Sequence, residues 1–266
     1  MTVNLEGKII FITGGSSGLG YEMAKTLLFH GATVIIGART LEELESVYKE
    51  FSQEKKNNIY KIQIDITNEE SVENASKWFE KNFDHLDILI NNAGIANNAP
   101  GMENLAKDHH FYDIPISTVK CIIDTNFLGF FIVTKKFIPF MQKNKCGSII
   151  YVSTSTKTIT KLGQLPYGPS KAGAEAMAKI MAEELRDSGI TVNIICPGGF
   201  TDTNMAVKDM KDYFIKNNLP ILQPNVMNKL ILFLASPQSK GITGEKFIGK
   251  DFDKWLKEKN ITFNDE

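Results

Sequence analysis

The sequence KIIFITGGSSGLG, residues 8–20, is the stretch that decides the fold. Its first half, Lys8–Thr13, is a short run rich in β-branched residues, which predicts a buried strand. The glycine-rich turn that follows opens a helical stretch. Glycines let a backbone approach a phosphate closely, and the free amides at the start of a helix offset the phosphate charge. Residues 8–20 therefore predict a phosphate-binding strand, turn and helix, although a plain tight turn is the alternative that this motif alone leaves open.

Short β-branched runs alternate with helical stretches outward from this unit along the whole chain. The predicted strands are 8–13, 33–37, 60–64, 87–91, 148–152, 191–196 and 246–248, and the predicted helices are 19–30, 41–54, 69–83, 118–142 and 167–187. Right-handed crossovers place the helices of such a pattern on both faces of a parallel sheet. We therefore expect the α/β class, with a single Rossmann-type doubly wound parallel sheet and helices on both faces.

The length of 266 residues suits one large α/β domain and does not exclude two. Because no repeat, low-complexity tract or linker divides the chain, we expect residues 1–266 to form a single dinucleotide-binding and catalytic domain. Two long irregular segments, Ile95–Ser117 and Gly198–Pro224, follow strand ends, where open α/β sheets bind ligands. We expect them to wall the substrate pocket. Gly31 and Gly189 follow predicted helices and are expected in the left-handed conformation.

Charge and composition favour a small-molecule partner. Lys and Arg number 30 against 31 Asp and Glu, and 42% of residues are hydrophobic, which indicates neither disorder nor a nucleic-acid-binding surface. The N-terminus has no basic stretch followed by an apolar run, and no segment approaches the roughly 18 apolar residues of a membrane helix. We therefore expect a soluble, cytoplasmic protein with no membrane partner, and reduced, buried thiols at Cys121, Cys146 and Cys196.

Five motifs, taken together, resemble the short-chain dehydrogenase/reductase family of the classical type. The fingerprint T-G-x-x-x-G-x-G is matched by Thr13–Gly20, and the later motifs follow in order at strand ends: Asp65, then Asn91-Asn92-Ala93-Gly94, then Y-x-x-x-K at Tyr167–Lys171, then Pro197-Gly198. The resemblance spans nearly the whole chain. It implies an NAD(P)-dependent oxidoreductase that transfers a hydride between the cofactor and a carbonyl or secondary alcohol.

The tyrosine and lysine of the fourth motif have a physical reason to be paired. Four residues apart on a helix, Tyr167 and Lys171 share a face, so the ammonium favours the phenolate and lowers a pKa that is ordinarily about 10. That change suits an acid/base working near neutral pH. The resemblance further implies that Lys171 binds the nicotinamide ribose and that Asn126 holds a water linking the lysine to solvent. An asparagine inside a helix is otherwise unfavourable, which supports a special role.

The hydroxyl that polarises the substrate has two candidates. The family places a serine thirteen residues before the tyrosine, and here that position is Thr154, which offers the same donor with an extra methyl group. Ser155 is the alternative if the intervening loop is one residue shorter, and Ser153 is expected to belong to the strand end. We favour Thr154 and keep Ser155 open.

Cofactor choice is read at the end of the second strand. An acidic residue there would accept the ribose 2′-hydroxyl, but the chain has Ala38 followed by Arg39, which suits a 2′-phosphate. We therefore expect NADP(H), with NAD(H) as the alternative. The resemblance implies cofactor contacts from Gly14, Ser16, Ser17, Gly18, Leu19, Gly20, Arg39, Asp65, Ile66, Asn91, Ala93, Gly94, Tyr167, Lys171, Pro197, Gly198 and Thr203.

Other conspicuous residues are expected to be structural. His109 and His110, with Asp108 and Asp113 nearby, lack metal-ligand spacing to a second cluster and are expected to be solvated, so no metal is predicted. Two further sets are expected in the core, in close packing or at a subunit interface: Phe127, Phe130, Phe131, Phe137 and Phe140 on one helix, and Ala172, Gly173, Ala174, Ala176 and Ala178 on another. The resemblance implies that these two helices pair in a homodimer or homotetramer, although Gly244–Asp253 lacks the D-G-G ending whose contacts support the tetramer.

Two other functions remain to be weighed. A nucleotide-sugar epimerase or dehydratase shares Y-x-x-x-K, but its glycine spacing is T-G-x-x-G-x-x-G and it needs a longer C-terminal region. A catalytically silent dinucleotide-binding sensor or scaffold would need no hydroxyl, tyrosine, lysine and asparagine set, and turnover of any carbonyl compound separates it from an enzyme. The sequence does not identify the substrate or the direction of the reaction.

Overall fold

A computed structural model describes residues 3–55, 58–96, 99–102, 110–206 and 208–265. Its centre is a seven-stranded, all-parallel sheet in the order β3-β2-β1-β4-β5-β6-β7. The strands are β1 Ile9–Thr13, β2 Thr33–Ala38, β3 Ile59–Gln63, β4 Ile88–Asn91, β5 Gly147–Val152, β6 Ile190–Cys196 and β7 Lys246–Ile248. This confirms the predicted fold class, because helices cover both faces of the sheet.

The helices form two layers. They are α1 Gly18–Phe29, α2 Leu41–Lys55, α3 Glu69–Asn82, α4 Ile116–Ile123, α5 Gly129–Gln142, α6 Thr156–Ile159, α7 Tyr167–Glu184, α8 Lys208–Lys216, α9 Asn228–Ala235 and α10 Phe252–Glu258. One core lies between the sheet and α1, α2, α9 and α10, and the other lies between the sheet and α3, α5 and α7.

The alternation of side chains along β1 explains why both layers can form. Ile10 and Ile12 belong to the core beneath α1 and α9, whereas Phe11 belongs to the opposite core, where its ring lies 4.7 Å from that of Phe137 on α5. A strand that is apolar on both faces is typical of a buried parallel sheet. The carboxyl ends of β1, β4, β5 and β6 consequently meet at one edge of the sheet.

Several helical features differ from the predictions, and the short helices α6 and α10 were not predicted. The predicted helix 118–142 is two helices, α4 and α5, joined by a π-helical turn over Asp124–Leu128. Helix α8 lies inside Gly198–Pro224, which was expected to be irregular. The buried helix α9 was not predicted, because it is apolar on all sides and so shows no helical period.

One helical stretch is long and apolar enough to cross a membrane by length and composition, although polar residues interrupt it. The continuous helical stretch Ile116–Gln142 has 27 residues, and an 18-residue window within it has a mean hydropathy of 1.5. In the structure, however, Phe130, Val133 and Phe137 of this stretch are buried among residues of the sheet and of α3. The stretch is therefore a core helix of the α/β fold.

The remaining local predictions have mixed outcomes. Gly31 and Gly189 are left-handed, with φ of +94° and +74°, as expected. All three cysteines are free, but only Cys196 is buried; Cys121 is half-buried, and Cys146 is exposed because it lies in the turn before β5.

The segment around the two histidines is only partly described. His110 is exposed, as expected, and its backbone N–H donates to the Asp113 carboxylate over 2.8 Å. Asp108 and His109 lie outside the described residues. Among the residues that are described, no group of His, Cys, Asp and Glu side chains could hold a metal ion.

Candidate active site

A cleft of about 400 Å³ lies at the carboxyl ends of the central strands. Eleven of the residues predicted from the sequence line it: Gly14, Ser17, Gly18, Leu19, Ala93, Gly94, Thr154, Tyr167, Lys171, Pro197 and Thr203. The structure therefore brings the glycine-rich turn, the fourth strand end and the Tyr/Lys helix together around one cavity.

The glycine-rich turn has the geometry of an anion site. Gly14 and Gly18 have φ of +66° and +54°, and a Cβ at Gly20 would lie 2.1 Å from the Gly14 carbonyl oxygen, so these positions require glycine. Helix α1 begins at Gly18, and its N-cap Ser17 makes no side-chain capping bond. The first amides of α1 are therefore free of a side-chain cap and available to a bound phosphate.

Four part-buried hydrogen bonds that were not predicted from the sequence fix this turn to β4. The Asn92 amide donates to the carbonyl oxygens of Thr13 (3.1 Å) and Gly14 (2.9 Å), and the Thr13 hydroxyl accepts from the backbone N–H groups of Asn92 (3.1 Å) and Ala93 (3.2 Å). Both residues stand inside the quoted motifs, so the motifs themselves contained the signal. These hydrogen bonds set the distance between the glycine-rich turn and the rest of the cleft.

Lys171 is buried and Tyr167 is half-buried at the base of the cleft. The Lys171 ammonium donates to the Val152 carbonyl oxygen over 2.9 Å and lies 4.9 Å from the Tyr151 ring centre and 5.9 Å from that of Tyr167. Burial lowers the pKa of Lys171 to about 8, while the negative charge of Glu175 acts in the opposite direction.

The pKa of Tyr167 is shifted opposite to the direction expected from the lysine alone. Burial raises the pKa of Tyr167 to about 12, a side-chain hydrogen bond with Thr154 acts to lower it, and the charge of Cys196 adds to the rise. Desolvation thus outweighs the neighbouring groups, and Tyr167 is a neutral proton donor at neutral pH.

The three hydroxyl residues after β5 have different partners. Thr154 lines the cleft and hydrogen-bonds Tyr167. Ser155 is the N-cap of α6, where its hydroxyl accepts from the Thr158 backbone N–H over 3.2 Å. Ser153 also lines the cleft, but it is buried and its hydroxyl donates to the Glu175 carboxylate. Of the three, Thr154 has the position from which a hydroxyl can act together with Tyr167.

Asn126 stands in the π-helical turn and connects three parts of the site. Its Oδ1 accepts from the Ile95 backbone N–H over 2.9 Å, and its Nδ2 donates to the Ile95 carbonyl (2.8 Å) and to the Ser170 hydroxyl (3.0 Å). Its own main-chain carbonyl accepts from the buried Tyr151 hydroxyl over 3.0 Å. Asn126 therefore fastens the segment after β4 to α7, a role beyond the water-holding one that the resemblance implies.

Comparison with known proteins gives the same assignment as this geometry. A family model described as short chain dehydrogenase matches residues 8–213. The chain is 34% identical over 247 residues to the 3-oxoacyl-[acyl-carrier-protein] reductase FabG of Vibrio harveyi and 33% identical over 250 residues to that of Thermotoga maritima, covering 91% of this chain and 96% of each relative. It belongs to the short-chain dehydrogenase family.

Solved structures of this family have the same fold. A short-chain type dehydrogenase/reductase from Mycobacterium marinum superimposes with a TM-score of 0.82 at 27% identity, covering 94% of this chain and 97% of that one. A short-chain dehydrogenase from Shigella flexneri complexed with NADP gives 0.79 at 25% identity, covering 94% and 100%. This short-chain dehydrogenase is thus an oxidoreductase by family.

The other predicted cofactor residues lie outside the main cleft. Arg39 and Asp65 line a separate depression with Gln63, Asn68, Glu70, Ser71 and Asn74. Arg39 is exposed, and its carbonyl accepts from Gln63 Nε2 over 3.0 Å. The Asp65 carboxylate accepts from the backbone N–H and the hydroxyl of Thr67, over 2.9 and 2.7 Å. In the glycine-rich turn, the Ser16 hydroxyl donates to the Glu43 carboxylate over 3.2 Å.

Three predicted cofactor residues make packing or hydrogen-bond contacts with other parts of this short-chain dehydrogenase. The Asn91 side chain donates to the Thr134 hydroxyl of α5 over 3.2 Å, on the same face of β4 as Leu89. Ile66 is buried against Gly129. Gly198 has a φ of +93° and packs so tightly that a Cβ would lie 2.4 Å from Ile248. The side chains of Asn91 and Ile66 therefore face the protein interior, and Gly198 is packed closely against Ile248.

The outer wall of the cleft comes mainly from the segment after β6. Phe200 stacks on Phe214 of α8 with ring centres 4.4 Å apart, and Met205 and Met210 line the cavity beside them. Of the other expected wall, Ile95–Ser117, the described part contributes Ala96; residues 97–98 and 103–109 lie outside the described residues. The described wall therefore has an apolar patch beside the polar residues Thr201, Thr203 and Asn204.

Proposed function

We propose that this protein is an NADP(H)-dependent oxidoreductase that interconverts a carbonyl and a secondary alcohol, with Tyr167 as the acid/base. The observation that carries the proposal is that Thr154, Tyr167 and Lys171 line the same cleft as the glycine-rich turn. Two hydroxyl groups so placed can meet one substrate oxygen. This is catalysis on the CH–OH group of a substrate with a nicotinamide cofactor as the partner.

The residues present fit such a cofactor. Gly14 and Gly18 leave room for a pyrophosphate at the start of α1, and the uncapped amides of that helix supply donors. Lys171 would hold the nicotinamide ribose, and the ends of β4 and β6, at Gly94 and Pro197, would border the ring. When bound, NADP(H) supplies or accepts the hydride.

The protein's own groups move and hold the proton. With its pKa near 12, Tyr167 keeps its proton at neutral pH and can donate it to the carbonyl oxygen as that oxygen gains negative charge. Thr154 would donate a second hydrogen bond to the same oxygen, which stabilises the developing charge. The Lys171 ammonium near the phenol offsets the phenolate that remains. In the reverse direction, that phenolate would take the proton of the alcohol.

Arg39 is the basis for preferring NADP(H). It follows Ala38, where an acid would repel a 2′-phosphate, and it is exposed at the edge of the depression that also contains Asp65. The Shigella relative was solved with NADP, which agrees with this choice. NAD(H) is the alternative, because Glu43 brings a negative charge to the neighbouring Ser16.

We also propose a domain organisation, a cellular location and an oligomeric state. We place the whole chain in one catalytic domain, in the cytoplasm, and in a homodimer or homotetramer formed through α5 and α7. Leu128, Phe131 and Ile180 are exposed on or beside these helices, at 42%, 40% and 59%, which supports an apolar contact there.

A substrate panel tests the function. Purified protein with NADPH is offered 3-oxoacyl thioesters, aliphatic and aromatic ketones, and keto sugars, while the near-ultraviolet absorbance of the reduced nicotinamide is followed. The first class is included because several relatives are named as 3-oxoacyl reductases, and the second because the wall of Phe200 and Phe214 is apolar. Oxidation of NADPH by any member supports an enzyme. Tight NADPH binding with no turnover across the panel would favour the silent binding protein instead.

A further inference from the structure

The catalytic helix bears an acid one turn beyond the lysine that the sequence motifs leave unused. Glu175 follows Lys171 by four residues on α7, as Lys171 follows Tyr167, so the three side chains form one row along the helix. Its side chain is 13% exposed and pairs over 2.6 Å with the ammonium of Lys246 on β7, which is 17% exposed. The same carboxylate oxygen accepts from the buried Ser153 hydroxyl.

These contacts tie the end of β5 to the helix at two successive points. Lys171 holds the Val152 carbonyl, and Glu175 holds the Ser153 hydroxyl. The next residue is Thr154, whose hydroxyl meets Tyr167 on the same helix. Because both ends of the contact between Thr154 and Tyr167 are fixed to one helix, any movement of the strand end relative to α7 would change the distance between the two hydroxyls.

The ion pair of Glu175 and Lys246 also contributes charge to the base of the cleft. Burial of Lys171 disfavours its ammonium, and the Glu175 carboxylate favours it. Lys246 compensates part of the Glu175 charge, since it is bonded to the same carboxylate oxygen. The other titratable groups that face this region are Tyr167 on α7, Tyr151 on β5, Cys196 on β6 and Asp251 after β7.

We infer that Glu175, Lys246 and Ser153 form a positioning unit that sets the charge of Lys171 and holds the Thr154 hydroxyl against Tyr167. The inference rests on the proposed function, because it assigns these residues to the support of that chemistry. Ser153 lines the cleft beside Thr154, but its hydroxyl is bound to Glu175, and we assign none of the three a contact with the reacting atoms. They act through Lys171, which is proposed to hold the cofactor, and through Thr154, which is proposed to contact the substrate.

The charge part of the inference has a test that needs neither substrate nor cofactor. The full chain is labelled with 13Cε-lysine, and lysine signals are titrated by NMR; the Lys171 signal is the one missing from a Lys171→Met variant. Glu175→Gln removes the favourable carboxylate and is expected to lower the pKa of Lys171 by about one unit. Lys246→Gln leaves the carboxylate uncompensated and is expected to raise it by about half a unit.

The opposite signs separate this role from a purely structural one. Glu73→Gln is the matched control, because Glu73 is an acid on α3 that pairs with Lys136, and it is expected to leave the Lys171 signal unchanged. Opposite shifts in Glu175→Gln and Lys246→Gln support the inference, and any other pattern overturns it. If Glu175→Gln does not fold, the upward shift in Lys246→Gln decides alone. Failure here is distinct from failure of the proposed function, because the protein is titrated without turnover.

The positioning part is tested by Ser153. With NADPH and the best substrate from the panel, Ser153→Ala is expected to lower kcat by about tenfold with KM nearly unchanged, because only the alignment of Thr154 is disturbed. Ser153→Thr restores the hydroxyl and is expected to recover most of the rate. A Ser153→Ala enzyme with wild-type kcat, or a loss that Ser153→Thr does not recover, overturns this part.

Discussion

The neighbouring residues Thr154 and Ser155 give a prediction in which two substitutions have opposite outcomes. Thr154→Ala removes the hydroxyl that lines the cleft and hydrogen-bonds Tyr167. A donor that stabilises a developing oxyanion is worth about 10² to 10³ in kcat, so we expect a loss of that order. The same hydrogen bond acts to lower the pKa of Tyr167, so its loss also leaves the phenol a weaker acid.

Ser155→Ala removes a helix cap instead. The Ser155 hydroxyl accepts from the Thr158 backbone N–H, and loss of such a cap costs about 1 kcal/mol in the free energy of unfolding. In a protein of this size that corresponds to a fall of about 2–4 °C in Tm. We expect kcat to stay within about threefold of the wild type, because the hydroxyl faces α6.

The assay measures kcat with NADPH and the best panel substrate, and Tm by calorimetry, on both variants and on the wild type. Thr154→Ser is the matched control, since it keeps the hydroxyl and loses only a methyl group, and it should retain most of the rate. A larger rate loss in Ser155→Ala than in Thr154→Ala would refute the reasoning and move the role to Ser155. Small and equal losses would show that neither hydroxyl polarises the substrate.

Two further predictions concern the cofactor and the buried lysine. Ala38→Asp combined with Arg39→Glu should change the preference from NADP(H) to NAD(H): the lost charge-assisted pair is worth roughly 1.5–3 kcal/mol, or about tenfold or more in NADP(H) affinity, and the new carboxylates repel the phosphate. The measurement is kcat/KM for each cofactor, and an unchanged ratio contradicts it. Lys171→Met should gain stability relative to the wild type at neutral pH, and this gain should shrink as pH rises from about 8 to 10. The folded-state pKa of Lys171 lies below its unfolded value of about 10.4, so between those values the unfolded chain binds more protons and the wild type becomes more stable as pH rises. Urea unfolding across that range measures the gain, and a constant difference between the two proteins contradicts the prediction.

The sequence predicted the sheet well because strand signals are local. The predicted segment 246–248 coincides with β7, and 8–13 differs from β1 by one residue. The π-helical turn at Asp124–Leu128 could not be predicted, since the contacts of Asn126 with Ile95 and Ser170 accompany it and these join residues distant in the chain.

The site was predicted as a set of residues, but the electrostatics were not. The row of Tyr167 and Lys171 was visible from spacing, and Glu175 continues it at the same spacing, so that residue could have been found. The upward shift in the pKa of Tyr167 arises from burial, which no motif reports. The contact of Asn91 with the cofactor stays a prediction, and the alternation of β4 places its side chain on the face of Leu89, towards α5.

The central claim is that Tyr167 transfers the proton, and Tyr167→Phe tests it most directly. The variant removes one oxygen atom and keeps the ring, so NADPH affinity should stay within about threefold of the wild type. The change in NADPH fluorescence on binding measures this affinity. The measurement is kcat for NADPH oxidation with the best panel substrate, in the wild type and the variant at saturating cofactor. The account predicts a fall of at least about 10²-fold. A kcat within about tenfold of the wild type, with NADPH still bound, would contradict it.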